Sequence, residues 1–563
     1  MSYLSVMLDT AKILLITCVS SVLLLTSCDL TEYNPSGLTD ESVYTQPEGF
    51  ESLVNASYSY ARWWYGKEEG YAFSVAGTDT WISGSGDENV PLSTYEDLDS
   101  EVDIINGGGV DDLTGMWKHM YTAINLVNTG IEGVGDSGLS ESLQTTREAE
   151  LRYLRAFFYW HIVDQWGGVH LTTDPTQGVQ TTANRTSVDQ FYQQIFTDLE
   201  FAVNNLPTTP EDPGRATRPA AEAFMARMHV ARGNNQDAID MADRVIDQYN
   251  FELLDDYDAL WDMDNLQNSE VVWSVNYTRD LTLNDQADEL RYPQGHPRGG
   301  FNGHLFFLPT YDDFSGVDRS IEYGRPFNRY MPSRFLLDLY DRENSTRYDD
   351  TFREVWYSNQ ENPPQGISPG DTALYATSRD LPDGFGDDKP YIVFDRDQIY
   401  NPDGSPIRRD IYPALTKFVD PTRPSIQLQV SSRDVFVFRL AEMYLIAAEA
   451  YLNMGSPGQA VPYINEIRRR AARPGQEAEM EVTASEVDRE FLLDEWAREF
   501  AGEQLRWTIL KRNDALVSRT RAHHPDASPH IQDFHRLRPI PQSQIDAVEN
   551  DDVFTQNPGY SGR

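Results

Sequence analysis

The chain has 563 residues, with 89 Asp and Glu against 46 Lys and Arg, a net charge of −43 and a pI near 4.4. So acidic a surface repels a phosphate backbone, whose binding needs Lys and Arg to displace counterions, and nucleic acid is disfavoured as a partner. With 40% hydrophobic and 12% aromatic residues the chain can still bury a substantial core, which argues against global disorder. Only six of the basic residues are Lys and forty are Arg. An acid-rich, Lys-poor surface stays solvated where salt screens its self-repulsion, so a protein of saline, halophilic surroundings is expected.

In chain order, Lys12 precedes an apolar stretch, Ile13 to Leu25, broken by Thr17, Cys18, Ser20 and Ser21. It falls short of the roughly 20 residues of a membrane-spanning helix and has the layout of a secretory signal. It ends in Leu25-Thr26-Ser27-Cys28, which resembles a bacterial lipobox. That resemblance implies cleavage of residues 1–27 and acylation of Cys28; a plain signal peptide is the alternative. Both Cys of the chain lie in this segment, so the exported body has no disulfide, thiol nucleophile or Cys metal site. Residues 28–45 read as a lipidated tether. Acyl chains, at about 0.8 kcal/mol per buried methylene, would hold it to a membrane without a spanning helix.

Helical periodicity dominates the body of the chain. Residues 147–166 place Leu151, Leu154, Phe158 and Ile162 on one face before Gly167-Gly168. Ser187 is a plausible N-cap for residues 187–205, which repeat Phe191, Ile195, Leu199 and Ala202. Pro219 to Arg232 and Gln236 to Tyr249 form a hairpin broken at Gly233-Asn234, with Ala238, Met241, Ala242 and Val245 inward. Asp434–Arg470 forms a second hairpin, with Phe436, Leu440, Tyr444 and Ala447 on its first face, and Val487 to Asn513 reads as one long helix. Paired Ala-rich helices of this length resemble tetratricopeptide repeats. Residues 276–430 differ: they are rich in Gly, Pro, Asp and aromatics and almost without period, as ligand-binding loops are.

Several motifs fail on inspection. Gly366-Ile367-Ser368-Pro369-Gly370 matches a hydrolase string, but Pro369 lacks the N–H that an oxyanion hole needs there. Gly135-Asp136-Ser137-Gly138 falls in an interhelical loop. His523, His524, His530 and His535 lack the spacing of a zinc site. Asp395, Asp397, Asn401 and Asp403 loosely echo a calcium loop without its bidentate Glu. No catalytic residue, metal site or cofactor is expected.

Spaced motifs instead resemble the SusD/RagB family of surface lipoproteins. Met116-Trp117, Tyr121, Ile124 and Asn125 fit a W-x-x-x-Y-x-x-I-x-x-x-N pattern with one spacing change, and Gly214-Arg215-Ala216-Thr217 with Ala220 and Ala221 fits a hairpin start. Arg439 to Leu445 with Ala448-Glu449-Ala450, and Glu495 through Glu503 to Trp507, fit two further helices. The second departs at Trp496 and at Gln504, where the family has Arg and Gly. Pro539-Ile540-Pro541 and Gln556 to Tyr560 fit its ending.

The resemblance implies a mainly α, tetratricopeptide-like scaffold: an N-terminal helical region over 46–275, a loop-rich ligand region over 276–430 and a C-terminal helical region over 431–563. Arg439, Glu442 and Arg506 are expected to be structural, satisfying buried polar groups. The implied function is non-enzymatic: a lipoprotein at the outer membrane binds an oligomeric nutrient and delivers it to a SusC-type TonB-dependent transporter. A glycan is the expected ligand, because aromatic faces stack on sugar rings while polar groups take the hydroxyls. A peptide is the alternative and a surface hydrolase a remote one. The expected ligand contacts are Asp79, Trp81 and Trp64 in the N-terminal region, with Tyr292, Arg298, Asn302 and His304 in the central loops. Trp81 leads among them.

Overall fold

A computed structural model describes residues 43–100, 112–280, 283–284 and 299–560. The signal segment, the lipobox with Cys28, and the expected ligand contacts Tyr292 and Arg298 lie outside the described residues.

The longer helices are α1 (Pro47–Ser59), α2 (Asp112–Gly133), α3 (Glu141–Trp166), α4 (Val188–Asn205), α5 (Arg218–Ala231), α6 (Asn235–Asp247), α7 (Leu440–Asn453), α8 (Pro457–Arg470), α9 (Arg489–Glu499), α10 (Arg506–Arg512) and α11 (Leu516–His523). From α2 to α8 each packs on the next, so α7 continues the stack after α6 although residues 248–439 intervene. This is the mainly α, helical-hairpin scaffold that the sequence implies. Local chemistry sets its ends. Ser187 accepts from the Gln190 amide and Gln190 reaches back to the Ser187 amide, a capping box at the start of α4. Gly167, at φ 70, ends α3. Phe191, Ile195, Leu199 and Ala202 are buried on one face, as their spacing requires.

Short strands are interspersed: β1 (Trp81–Ser83), β2 (Val271–Val275), β3 (Tyr330–Pro332), β4 (Phe352–Arg353), β5 (Val355–Tyr357), β6 (Thr372–Ala376), β7 (Ile392–Phe394), β8 (Ala414–Leu415) and β9 (Val435–Arg439). Between β2 and β9 the described chain folds small sheets back onto the helices. Antiparallel pairs join β1 to β3 and β4 to β8, and a three-stranded sheet runs in the order β5-β6-β7.

Two expected helices differ. Residues 435–439 are not helical: β9 pairs antiparallel with β2, so Phe436 belongs to a ladder and not to the face of α7. The Val-Phe-Val-Phe alternation suits a half-buried strand, and its partner lies far away in sequence. The expected helix over 487–513 is broken between α9 and α10 by residues 500–505, where Gly502 has φ 80 and Gln504 φ 58. A positive φ explains why the family pattern has Gly at that position. Gln504 offsets its strain of about 1–2 kcal/mol with two buried bonds: Nε2 donates to the Trp64 carbonyl at 2.7 Å and Oε1 accepts from the Gly66 amide at 3.2 Å.

The break also opens room for a buried ionic network. Glu499 accepts from Arg439 at 2.7 Å, Arg470 at 2.5 Å and Arg347 at 3.0 Å. Arg439 further bonds Glu270 and Glu503, Arg347 bonds Glu495, and Lys417 bonds Glu503. Arg227 and Glu442 form a separate buried pair at 2.6 Å. Arg439 therefore ties β9 to α9, and Glu442 ties α7 to α5, so both motif residues satisfy buried polar groups.

Candidate functional site

The β1–β3 ladder joins Trp81–Ser83 to Tyr330–Pro332, and Asn302 N donates to Gly66 O at 2.7 Å, so the N-terminal segment meets the central region at two places. Beyond the ladder the backbones stay joined, with Gly84 N donating to Arg329 O at 2.8 Å and Gly86 N to Asn328 O at 2.9 Å. Both glycines are required by this approach: a Cβ on Gly84 would lie 2.2 Å from Asn328 O, and one on Gly86 2.2 Å from Phe327 O.

The side chains named from the sequence form the floor of this junction and are buried. Trp81 is 1% exposed and meets Phe307 edge-on at 4.6 Å. Its apolar ring belongs to a three-residue strand buried on both sides, which leaves it no face for a ligand. Trp64, 2% exposed, stacks on His161 at 4.1 Å. Asp79 is fully buried, and both its carboxylate oxygens are occupied by Arg506 and Arg519 at 2.5–2.8 Å. Burial pushes that carboxyl up, but the two guanidinium groups outweigh it and hold the pKa at about 2. Asp79 is therefore the anchor for Arg506, the third motif residue expected to be structural.

In the central loops, Asn302 is buried, with its amide N donating to Gly66 O and Nδ2 to Gln429 O, both at 2.7 Å. His304 is buried against Arg423, 3.2 Å from Nε2. Burial first, then Arg423 and Arg433, push its pKa well down and keep the ring neutral. These five residues position the junction; the solvent-facing groups above it are others.

Those groups sit where residues 84–89 meet 325–329. Phe327 is half-buried, with the Arg325 and Arg329 guanidinium carbons 5.7 and 5.1 Å from its ring centre, inside cation–π range. Arg329 pairs with Glu68 and Glu88, each at 2.5 Å, and bonds the Gly86 carbonyl. Arg325 donates to Gln427 O at 2.8 Å. Asn328, at φ 54, donates to Ser85 Oγ at 2.9 Å and accepts from the Tyr412 hydroxyl at 2.7 Å. Arg329 and Asn328 are buried beneath, so the shelf offers the Phe327 ring, the Arg325 guanidinium, the Glu88 carboxylate and the Ser85 hydroxyl on a rigid, twice-paired backbone. Chemically it can stack an apolar face and exchange several hydrogen bonds at once. Neither Phe327 nor Arg325 is among the contacts expected from the sequence. The signal available was Gly324-Arg325-Pro326-Phe327, an aromatic held in a Pro-Gly turn between two arginines.

The discounted motifs stay separate in space. Asp395 caps a short helix by accepting from Gln398 N, and Asp403 accepts from Ser405. His524 Nδ1 accepts from Ala527 N, while His523 stacks on Phe335 at 3.8 Å. Among the described residues no group of three or more His, Cys, Asp or Glu converges as a metal would need, and no helix is long and apolar enough to cross a membrane.

Comparison with known proteins agrees with this architecture. The SusD family model matches residues 269–560, and a second model, described as starch-binding associating with outer membrane, matches residues 52–230. SusD-like protein P25 of Formosa agariphila is 26% identical over 492 residues, covering 84% of each chain. The starch-binding protein SusD of Bacteroides thetaiotaomicron is 24% identical over 470 residues, covering 75% of this chain and 74% of its own. Among solved structures, a laminarin-binding SusD-like protein superposes with a TM-score of 0.68 at 20% identity, over 92% of this chain and 100% of that one. Surface glycan-binding protein A from Bacteroides thetaiotaomicron, in complex with laminarihexaose, gives 0.64 at 19% identity, over 91% and 99%. With one family model spanning more than half of the 563 residues, and the stacked hairpins and motif ion pairs in place, the chain belongs to the SusD family.

Proposed function

We propose that this protein is a non-catalytic glycan-binding lipoprotein of the outer membrane. It captures a neutral oligosaccharide on the shelf around Phe327 and passes it to a SusC-type TonB-dependent transporter, tethered through acyl chains on Cys28. The observation that carries the reading is the meeting of residues 84–89 and 325–329 in a chain of this family, with an aromatic ring and hydrogen-bonding groups on a rigid backbone. Relatives named for starch, laminarin and surface glycans support a saccharide as ligand. The site needs no chemical step: aromatic contact and hydroxyl hydrogen bonds hold the sugar, and the surrounding negative charge disfavours polyanionic glycans.

The test is calorimetric titration of the mature protein with neutral glucans, sulfated glycans and peptides, with product analysis of each mixture. Binding of a neutral oligosaccharide without turnover is expected. Binding confined to peptides, or cleavage of any member, overturns the reading.

The charge adds an expectation about habitat. A net −43 repels itself over a Debye length of about 10 Å at 0.1 M salt and about 3 Å at 1 M. The thermal midpoint is therefore expected to rise between low and molar NaCl, and a flat or falling midpoint would refute adaptation to salt.

A further inference from the structure

A second concavity lies away from the shelf, on the helical half of the molecule. It is an open groove of about 690 Å³ between the outer face of α1, the turn at 212–215 and the end of β2. This volume is in the range of roughly 300–1,000 Å³ typical of ligand clefts. No residue of the shelf lines it.

Its lining has the chemistry of a saccharide site. Trp273 is buried beneath the groove, fixed by its indole N–H donating to Gly214 O at 2.9 Å, and Tyr58 and Tyr60, both half-buried, form a wall. Tyr58 is locked, its hydroxyl donating to Glu150 at 2.8 Å and accepting from Ala216 N at 3.0 Å. Arg215 bonds the same Glu150 at 2.7 Å and the exposed Asn55 Oδ1 at 2.9 Å. Asn55 Nδ2 keeps no protein acceptor among the described residues and can donate to a ligand.

Charge narrows the class of ligand. The Arg215 guanidinium is matched by Glu150 and, at 3.5 Å, by Glu51. Of the other charged groups on the lining, Arg62 donates to the carbonyls of Asn276, Leu283 and Asn284, and Asp212 lies 3.7 Å from Arg215, so both signs of charge are present and a neutral ring with hydroxyls can use the aromatic faces and amides without offsetting either. We propose that this groove is a second, independent binding site for a neutral oligosaccharide. The proposal rests on the glycan-binding reading but not on the Phe327 shelf.

The test uses the mature protein and neutral hexasaccharides, laminarihexaose among them, with stoichiometry read by calorimetry. Ala56 is exposed on α1 and lines the groove, so Ala56→Trp obstructs it without removing a side-chain bond. Tyr60→Ala, which removes one wall, is the second variant should Ala56→Trp lower the thermal midpoint. Two sites are expected in the parent, with the groove site lost in Ala56→Trp and weakened at least tenfold in Tyr60→Ala, and the shelf site weakened roughly thirtyfold in Phe327→Ala. A single site weakened by Phe327→Ala and unmoved by both groove variants overturns the groove and leaves the shelf standing. A single site weakened by the groove variants and unmoved by Phe327→Ala supports the groove and overturns the shelf. No titration with any saccharide overturns both.

Discussion

Replacing Glu499 by alanine is expected to destabilise the protein by about 3–5 kcal/mol, the cost of leaving buried charge unmatched. Glu499 is fully buried and answers three guanidinium groups, from Arg439 on β9, Arg470 on α8 and Arg347 in the central region. Its loss leaves Arg470 with Glu270 and Arg347 with Glu495, each now under-compensated. The sign of the pH dependence follows from the same contacts. Burial pushes the carboxyl up, but Arg470, Arg439 and Arg347 together bring it down to about 2 from 4.5. A folded pKa below the unfolded one gives stability that is complete above pH 4.5 and lost as pH falls toward 2. At 1.36 kcal/mol per pKa unit, this amounts to about 3 kcal/mol. Glu499→Gln, which keeps the volume, should therefore approach the parent in urea midpoint as pH falls from 4.5 to 2. Parallel curves across that window, or a neutral-pH difference under about 1 kcal/mol, would show that the network contributes little to holding the two helical regions together.

The sequence carries the parts of this fold that depend on near neighbours. The spacing of Phe191, Ile195, Leu199 and Ala202, and the Ser187 cap, need only a few residues on either side, and α4 lies where they place it. Val435–Arg439 runs directly into α7, so its alternation merges with the helical pattern, and only the distant Val271–Val275 identifies it as a strand. The same limit governs the site. An aromatic among Gly and polar residues has the same local appearance whether it faces ligand or core, and for Trp81 the choice is made by pairing with residues 330–332, some 250 positions away. Gln504 shows the converse. A departure from the family pattern marks a position whose positive φ is recovered by side-chain bonds to Trp64 and Gly66.

Trp81 and Phe327 separate stability from recognition in one experiment. Trp81→Ala removes a fully packed ring between Phe307 and Phe352, at 4.6 and 6.5 Å, and is expected to cost about 3–5 kcal/mol through lost burial and the cavity left behind. Phe327→Ala removes a half-buried ring whose backbone is held by its own ladder, with Phe327 N donating to Leu305 O at 2.9 Å, so the thermal midpoint should barely move. Its expected effect is on affinity, a loss of about 2 kcal/mol, or roughly thirtyfold, typical of removing an aromatic anchor. Arg325→Ala should act in the same direction and more weakly, because its guanidinium lies 5.7 Å from the ring centre and is itself held by Gln427 O at 2.8 Å. Affinity for the titrated oligosaccharide, read beside the urea midpoint for each variant, decides between the two layers. If Trp81→Ala weakens binding while remaining as stable as the parent, the ligand contacts the floor and the shelf assignment falls. If Phe327→Ala destabilises strongly and the folded fraction binds normally, the ring is structural and recognition lies elsewhere on the molecule.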